Sequence, residues 1–131
     1  MSYSIGQVAA KIGLSTHTLR YYQKEGLLPF VKKNQSGQRF FTDEDLNWLA
    51  MIECLKETGM PLKGIKQYID WFLEGDLTLK QRLIMFEKQK SHIEEQMALY
   101  QKHLQKIEYK IKLYQTAVKL GSLAAALKHK I

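Results

Sequence analysis

The chain has 131 residues, of which 45% are hydrophobic, 11% are aromatic and 25% are charged. This composition fits one folded domain, or a small domain with an extension, and it excludes wholesale disorder. No apolar run approaches the roughly 20 residues that a membrane span needs, so we expect no membrane partner. The N-terminus lacks the basic and apolar stretches of a signal peptide, which favours a cytoplasmic protein. The single cysteine, Cys54, excludes an internal disulfide.

Charge is distributed unevenly along the chain, which carries a net +7. Residues 1–41 hold six Lys or Arg against one acid, residues 42–75 are net −4, and residues 76–131 are net +6. A basic N-terminal block suits a polyanion such as nucleic acid. Many proteins that bind no polyanion also have basic surfaces, so charge alone leaves both interpretations open.

Two short helices are predicted at the start of the chain. Apolar residues recur at helical spacing over 5–12, where Ser4 is placed to cap the helix. After a turn that contains glycine, a second helix begins at Ser15 or Thr16 and runs to about Lys24. This arrangement is typical of a helix-turn-helix, although many helical hairpins share it.

A β-hairpin and two further helices follow. Aromatic and β-branched residues at 30–33 and 38–41 flank an Asn-Gln-Ser-Gly turn, which predicts the hairpin. Thr42 is placed to cap a third helix, which three acidic residues in its first turn would stabilise through the helix dipole. Pro61, at a first helical position, opens a fourth helix that ends near residue 73.

The last long segment has the heptad pattern of a coiled coil. Thr78 is its predicted cap, with Gln81 as capping-box partner. Eleven of twelve seam positions from Leu79 to Val118 are apolar, the exception being Lys90. A helix of this extent is about 64 Å long, more than the preceding residues can cover. We therefore expect a homodimer through the 79–118 seam; a helix folded back within the chain would need a breaker, which the segment lacks.

The sequence offers no constellation for catalysis. It contains no Gly-rich phosphate loop, no paired-histidine metal motif and no nucleophile elbow. We therefore predict no catalytic residue, no metal site and no cofactor, and the chain is not expected to be an enzyme.

The second helix carries the candidate DNA-binding surface. Thr16, His17, Arg20 and Tyr21 lie on or near one helical face, which can enter the major groove. Basic residues on the hairpin would bind the DNA backbone as a wing. In the alternative interpretation, a tyrosine packs in the core and the arginine is a surface charge. The candidate contacts are Ser15, Thr16, His17, Thr18, Arg20, Tyr21, Tyr22, Lys32, Lys33, Arg39 and Lys63.

The order of motifs resembles that of MerR-family transcription regulators. The resemblance is carried by residues 4–9, 18–22, 25–29, 37–46 and 56–62. It implies a mainly α fold, in which a winged helix-turn-helix DNA-binding domain is followed by a long coiled-coil dimerisation helix. The implied boundaries are 1–75 for the DNA-binding domain (helix-turn-helix about 4–25, wing about 28–41, helices about 42–58 and 61–74), 76–120 for the coiled coil and 121–131 for a short tail.

The resemblance also implies a mechanism. Such dimers bind a pseudo-palindrome in double-stranded promoter DNA between the −35 and −10 elements, and they bend and untwist the spacer. RNA polymerase is then affected indirectly, through the promoter. In the tail, an apolar stripe of Leu123, Leu127 and Ile131 predicts a short docking helix.

Cys54 is the candidate effector-sensing residue. The run from Ile52 to Pro61 resembles the aldehyde- and nitrosothiol-responsive subgroup of the family, in which a single cysteine is the proposed sensor. In the first alternative, Cys54 is a buried packing residue and the effector is different, which fits a helix C-terminus that disfavours thiolate. In the second, the chain is a basic coiled-coil scaffold or nucleoid protein without sequence preference.

Overall fold

The computed structural model describes residues 1–129, which are mainly α-helical. The chain divides into two compact units, the second of which begins at Glu87. None of the helices in the described range is long and apolar enough to cross a bilayer. The elements are β1 (Ser2–Tyr3), α1 (Ile5–Ile12), α2 (Thr16–Lys24), β2 (Lys32–Lys33), β3 (Arg39–Thr42), α3 (Asp43–Glu57), α4 (Leu62–Leu73), a 3-10 turn (Gly75–Thr78), α5 (Leu79–Leu120) and α6 (Leu123–Lys128).

Local capping sets the starts of the first three helices, as the sequence predicts. Ser4 and Gln7 form a complete capping box at α1, and the Ser15 hydroxyl caps α2. Thr42 and the buried Asp45 form a second box at α3, where the Asp45 carboxylate accepts the Thr42 N–H at 2.9 Å. Each box satisfies backbone N–H groups that a helix start otherwise leaves unpaired.

A three-stranded antiparallel sheet has the order β1-β3-β2. The predicted hairpin is confirmed, with Lys32 opposite Phe40 and Lys33 opposite Arg39. β1 adds a pairing that the sequence analysis missed, in which Tyr3 lies opposite Phe41. A strand of two residues has no periodicity of its own, so only its partner reveals it.

One continuous core joins α1, α2, α3, α4 and β3. Leu19 and Tyr22 on α2 are each only 1% exposed, so this face of the helix points inward. Burying each large apolar side chain contributes about 1.5–3 kcal/mol. The buried cluster comprises Val8, Leu19, Tyr22, Leu27, Leu28, Phe41, Leu49, Ile52, Met60, Ile65 and Ile69.

Two predicted helix starts differ from the structure. Pro61 is the N-cap of α4, with extended backbone, and the helix begins at Leu62. The expected capping box of Thr78 and Gln81 is wrong. The Thr78 hydroxyl binds carbonyl oxygens at the end of α4 and in the 3-10 turn, because that turn leads directly into α5.

The long predicted helix is confirmed as α5, a single helix of 42 residues. Its seam side chains lie largely exposed in the single chain, for example Tyr100 at 71% and Val118 at 80%. Its first turns belong to the first compact unit, whereas the sequence places the domain boundary near residue 75.

The short helix α6 packs against the end of α5. Ser122 caps it, and Ala126 is fully buried against Leu113 and Ala117. Within the single chain, α6 packs through Ala126, whereas Leu123 and Leu127 of the predicted stripe are exposed. Ile131, the third member of that stripe, lies outside the described residues.

A polar cluster ties α2 to α3 at the edge of the core. The Tyr22 hydroxyl donates to the Glu53 carboxylate at 2.9 Å and accepts from the Lys56 ammonium at 2.7 Å. Burial is the main cause that raises the pKa of Tyr22 above its ordinary value of 10.0, and Glu53 adds to this while Lys56 opposes it. Because the ring is buried and the hydroxyl is occupied, Tyr22 is a core residue rather than the predicted DNA contact.

We expect Tyr22→Phe to lower the free energy of unfolding by about 1 kcal/mol near neutral pH, because it removes two hydrogen bonds. The folded chain keeps the Tyr22 proton at a pH where the unfolded chain releases it, so stability falls as the pH rises above about 10. Tyr22→Phe should make this fall shallower, whereas Tyr21→Phe, at an exposed neighbour, should not. Urea unfolding from pH 9 to 11 measures both; equal slopes in the two variants would contradict the assignment.

Candidate DNA interface

One face of α2 is presented to solvent because the opposite face is anchored. Leu19 and Tyr22 are buried, and helical spacing then turns His17, Arg20 and Tyr21 outward. Of these, His17 and Arg20 are exposed, and the Tyr21 side chain is 46% exposed. The exposed face therefore carries side chains that can bind both base edges and phosphate oxygens.

The first turn of α2 is held by its own hydroxyl groups. Ser15 accepts the backbone N–H of Thr18 at 3.0 Å, and the two hydroxyl oxygens lie 2.9 Å apart. Ser15 is exposed, while Thr16 and Thr18 are half-buried. These residues thus present a rigid helix N-terminus, where the helix dipole favours an anion.

The hairpin is stiffened at its turn. The Asn34 side-chain oxygen accepts the backbone N–H groups of Ser36 and Gln38, each at 3.0 Å. Gly37 has a φ of 80°, a left-handed conformation that disfavours residues with a Cβ. The turn therefore fixes the two strands, and the cations on them, relative to each other.

A cleft of about 340 Å³ lies between α2, the hairpin and the start of α1. We call it the basic cleft, because three cationic side chains that are distant in sequence meet there, one from α2 and two from the hairpin. The Nε of Arg39 is buried and has no hydrogen-bond partner among residues 1–129. An anionic oxygen is the partner that a buried guanidinium N–H favours. The lining residues are Ser4, Ile5, Arg20, Lys33, Gly37, Gln38 and Arg39.

Electrostatic repulsion is built into the basic cleft. Lys33 and Arg39 lie directly opposite each other on paired strands. Like charges in this arrangement destabilise a sheet by roughly 0.2–1 kcal/mol. A bound phosphate would replace this repulsion with two favourable contacts. The arrangement of charges therefore favours the polyanion-bound state over the free state.

The remaining predicted contacts lie outside the basic cleft. Lys32 is exposed opposite Phe40, and Lys63 is exposed in the first turn of α4. Sequence reasoning missed Ser4 and Gln38, which line the cleft. The N-cap at Ser4 was a usable signal, because a helix N-terminus attracts anions.

Cys54 lies on the outer face of α3 and is exposed in the single chain. The alternative that Cys54 is a buried packing residue is therefore wrong for the single chain. α3 buries Leu49 and Ile52 on its other side, and this turns Ala50 and Cys54 outward. Within residues 1–129, no group of three potential metal ligands among His, Cys, Asp and Glu comes together.

Comparison with known proteins identifies the family. Residues 3–70 match the model of the MerR HTH family regulatory proteins. The chain belongs to the MerR family. An HTH-type transcriptional regulator of Haemophilus influenzae is 48% identical over 94 residues, which cover 72% of this chain and 70% of that protein. AdhR of Bacillus subtilis, also an HTH-type transcriptional regulator, is 38% identical over 89 residues, which cover 66% of this chain and 64% of AdhR.

Solved structures of family members share this architecture. HiNmlR, a MerR family regulator lacking the sensor domain and solved bound to promoter DNA, is 46% identical with a TM-score of 0.79. The match covers 95% of this chain and 99% of HiNmlR. A MerR family regulator from Listeria monocytogenes is 30% identical with a TM-score of 0.81, over 91% of this chain and 90% of that one. This MerR-type chain is therefore a DNA-binding transcriptional regulator and not an enzyme.

We expect Lys33→Gln to raise the free energy of unfolding by about 0.3 kcal/mol at low salt, because it removes the repulsion opposite Arg39. The gain should shrink at high salt, which screens exposed charges. Lys32→Gln is the matched control, since Lys32 lies opposite an uncharged ring. Urea unfolding at two ionic strengths measures both variants; equal effects would show that the repulsion is absent.

Proposed function

We propose that this MerR-type regulator binds promoter DNA as a homodimer and responds to aldehydes or nitrosothiols through Cys54. The observation that carries the DNA-binding part is the basic cleft beside the exposed face of α2. Such a protein acts in the cytoplasm, where bacterial promoters are. RNA polymerase is affected indirectly, through the geometry of the promoter.

The exposed face of α2 and the basic cleft contact different parts of the DNA. The face of α2 enters the major groove, where His17 reads base edges and Arg20 lies near the backbone. The basic cleft binds phosphate oxygens through Lys33 and Arg39. Bending a promoter spacer costs of order 1–6 kcal/mol, which the contacts of two DNA-binding domains can offset.

Dimerisation is supported by the seam of α5. Its apolar side chains follow a 3.5-residue period from Leu79 to Val118 and lie mainly exposed in the single chain. An apolar stripe of this length needs a partner, and a second copy carries the same stripe. Two copies also place two recognition helices on one DNA molecule.

The sensing reaction is an attack of the Cys54 thiolate on the electrophile. With an aldehyde, the sulfur attacks the carbonyl carbon, the C–O double bond becomes a single bond, and the oxygen takes a proton from water. With a nitrosothiol, the Cys54 thiolate attacks the nitroso nitrogen, the S–N bond of the donor breaks, and the donor leaves as a thiolate that takes a proton from water. The exposure of Cys54 supports access by such small electrophiles.

The alternative is a MerR-type regulator with another effector, in which Cys54 has no sensing role. It is favoured by the position of Cys54 in the last turns of α3, where the helix dipole disfavours a thiolate. A sensing role for Cys54 would instead require a cation from another part of the assembly.

We expect Arg20→Ala and Arg39→Ala each to weaken DNA binding across sequences. Each should reduce by about one the slope of the logarithm of the binding constant against the logarithm of the salt concentration, because one phosphate contact is lost. Lys80→Ala removes an exposed cation from α5 and is the control. Fluorescence anisotropy between 50 and 200 mM salt measures the slopes; slopes equal to that of Lys80→Ala would place the DNA elsewhere.

We expect the double substitution Ile107→Asp and Ile111→Asp to produce monomers that bind the operator poorly, since half-sites are then engaged singly. Lys106→Asp with Lys112→Asp introduces the same acids on α5 outside the seam, and this control should stay dimeric. Sedimentation at micromolar concentration distinguishes the species. A wild-type monomer under these conditions would overturn the coiled-coil proposal.

We expect Cys54→Ser to keep DNA binding and to lose induction by formaldehyde, because serine keeps the shape but not the nucleophilic thiolate. Ala50→Ser is the matched control on the same exposed face, and it should be induced normally. Promoter output with and without formaldehyde provides the measurement. Equal induction of wild type and Cys54→Ser would favour the alternative effector.

A further inference from the structure

The junction between α4 and α5 is held by side chains that reach back to α4. The buried Thr78 hydroxyl binds the carbonyl oxygens of Trp71 and Gly75. Arg82, in the first turn of α5, donates from Nε to the Thr78 hydroxyl at 3.1 Å and from Nη2 to the Gly75 carbonyl at 2.6 Å. We call this arrangement of Thr78 and Arg82 the junction brace.

The junction brace is supported by aromatic contacts. The Arg82 guanidinium lies 5.6 Å from the centre of the Phe72 ring, in a cation–π geometry. Phe72 packs edge-on against Trp48 of α3, with ring centres 4.7 Å apart. On α5 itself, Phe86 contacts Tyr68 of α4 at 5.1 Å between ring centres. The start of α5 is thus tied to α3 and α4 within the first compact unit.

We propose that Arg82 is a positioning residue that sets the separation of the two DNA half-sites accepted by the dimer. This inference depends on the proposed function, in which a homodimer binds a two-half-site operator. In such a dimer, the two recognition helices are connected through the two α4–α5 junctions and the seam. The direction of the first turns of α5 relative to α4 therefore determines where the second recognition helix meets the DNA.

The chemistry of arginine explains why this residue type is needed. Its planar guanidinium donates in two directions at once, to the Thr78 hydroxyl and to the Gly75 carbonyl. A lysine keeps the charge but has one flexible ammonium group, so it cannot hold both acceptors in the same geometry. Arg82→Lys should therefore loosen the direction of α5 without disturbing the buried core.

DNA geometry makes the effect measurable. One base pair changes the separation of half-sites by about 3.4 Å and their relative rotation by about 34°. With a rigid junction, the dimer loses much of its affinity when the separation of the half-sites changes. With a loosened junction, it loses less. The relevant quantity is a ratio of affinities, and a loss of folded protein leaves this ratio unchanged.

The experiment begins with the operator that the wild-type chain selects from a random duplex library. Affinities are then measured for three duplexes: that operator, the same operator with its half-sites moved apart or together by one base pair, and a single half-site. The variants are Arg82→Lys and Thr78→Val. Lys80→Ala, in the same turn of α5, is the control.

We expect wild type and Lys80→Ala to lose about tenfold in affinity when the separation changes by one base pair. Arg82→Lys and Thr78→Val should bind the single half-site within about twofold of wild type but lose only about threefold on the changed separation. A full tenfold loss in both variants would overturn the inference. The inference would also be overturned if the affinity of these variants for the single half-site fell as much as their affinity for the operator. The junction brace would then only stabilise the fold.

Failure of the proposed function has a different signature. A wild-type chain that selects no two-half-site operator, or that binds all separations equally, would contradict the homodimer on a palindrome. That result appears in the wild-type measurements, before any Arg82 variant is compared.

Discussion

The burial of Leu19 and Tyr22 is the constraint on which the DNA-binding surface depends. Both side chains are almost fully buried, and they fix the rotation of a helix of only nine residues. Once that rotation is fixed, His17 and Arg20 must face solvent, and Arg20 reaches the basic cleft. The hydrogen bonds of Tyr22 to α3 add a polar contact that a purely apolar anchor would lack.

The charges of the basic cleft favour the binding of an anionic ligand over the stability of the free protein. Lys33 opposes Arg39 across the hairpin, and the buried Arg39 Nε has no hydrogen-bond partner in the part of the chain that the structure describes. Acidic residues lie elsewhere, for example in the first turn of α3, where Asp45 completes a capping box. A protein selected for stability alone would pair these cations. The like-charge pair and the unpartnered Arg39 Nε are expected where function takes precedence over local stability.

Local features of the fold could be predicted from the sequence, and long-range ones could not. The caps at Ser4, Ser15 and Thr42 depend on residues three positions away, so the pattern reveals them. The strand β1 pairs with β3, and the Thr78 hydroxyl binds the Trp71 carbonyl oxygen of the preceding helix; no local pattern identifies either partner. The heptad repeat predicted the extent of α5, because periodicity over many turns is the most reliable signal in a sequence.

The individual residues of the candidate site could be predicted from the sequence, but their arrangement in space could not. Arg20, Lys33 and Arg39 could be chosen individually from helix and hairpin patterns, but their meeting in one cleft is a property of the tertiary fold. The exposure of Cys54 likewise follows from which side of α3 packs on the core, which the weak amphipathicity of that helix does not reveal. Tyr22 was misassigned because a tyrosine in a recognition helix can serve either the core or the DNA.

The central claim is that a dimer of this chain deforms promoter DNA. Footprinting of the chain on the promoter of the gene that encodes it would test this claim most directly. The expected result is protection of an inverted repeat between the −35 and −10 elements, with two chains bound per duplex and enhanced cleavage at the centre, where bent DNA is distorted. Protection without two-fold symmetry, or equal binding to a scrambled duplex, would contradict a MerR-type dimer that acts by deforming the promoter.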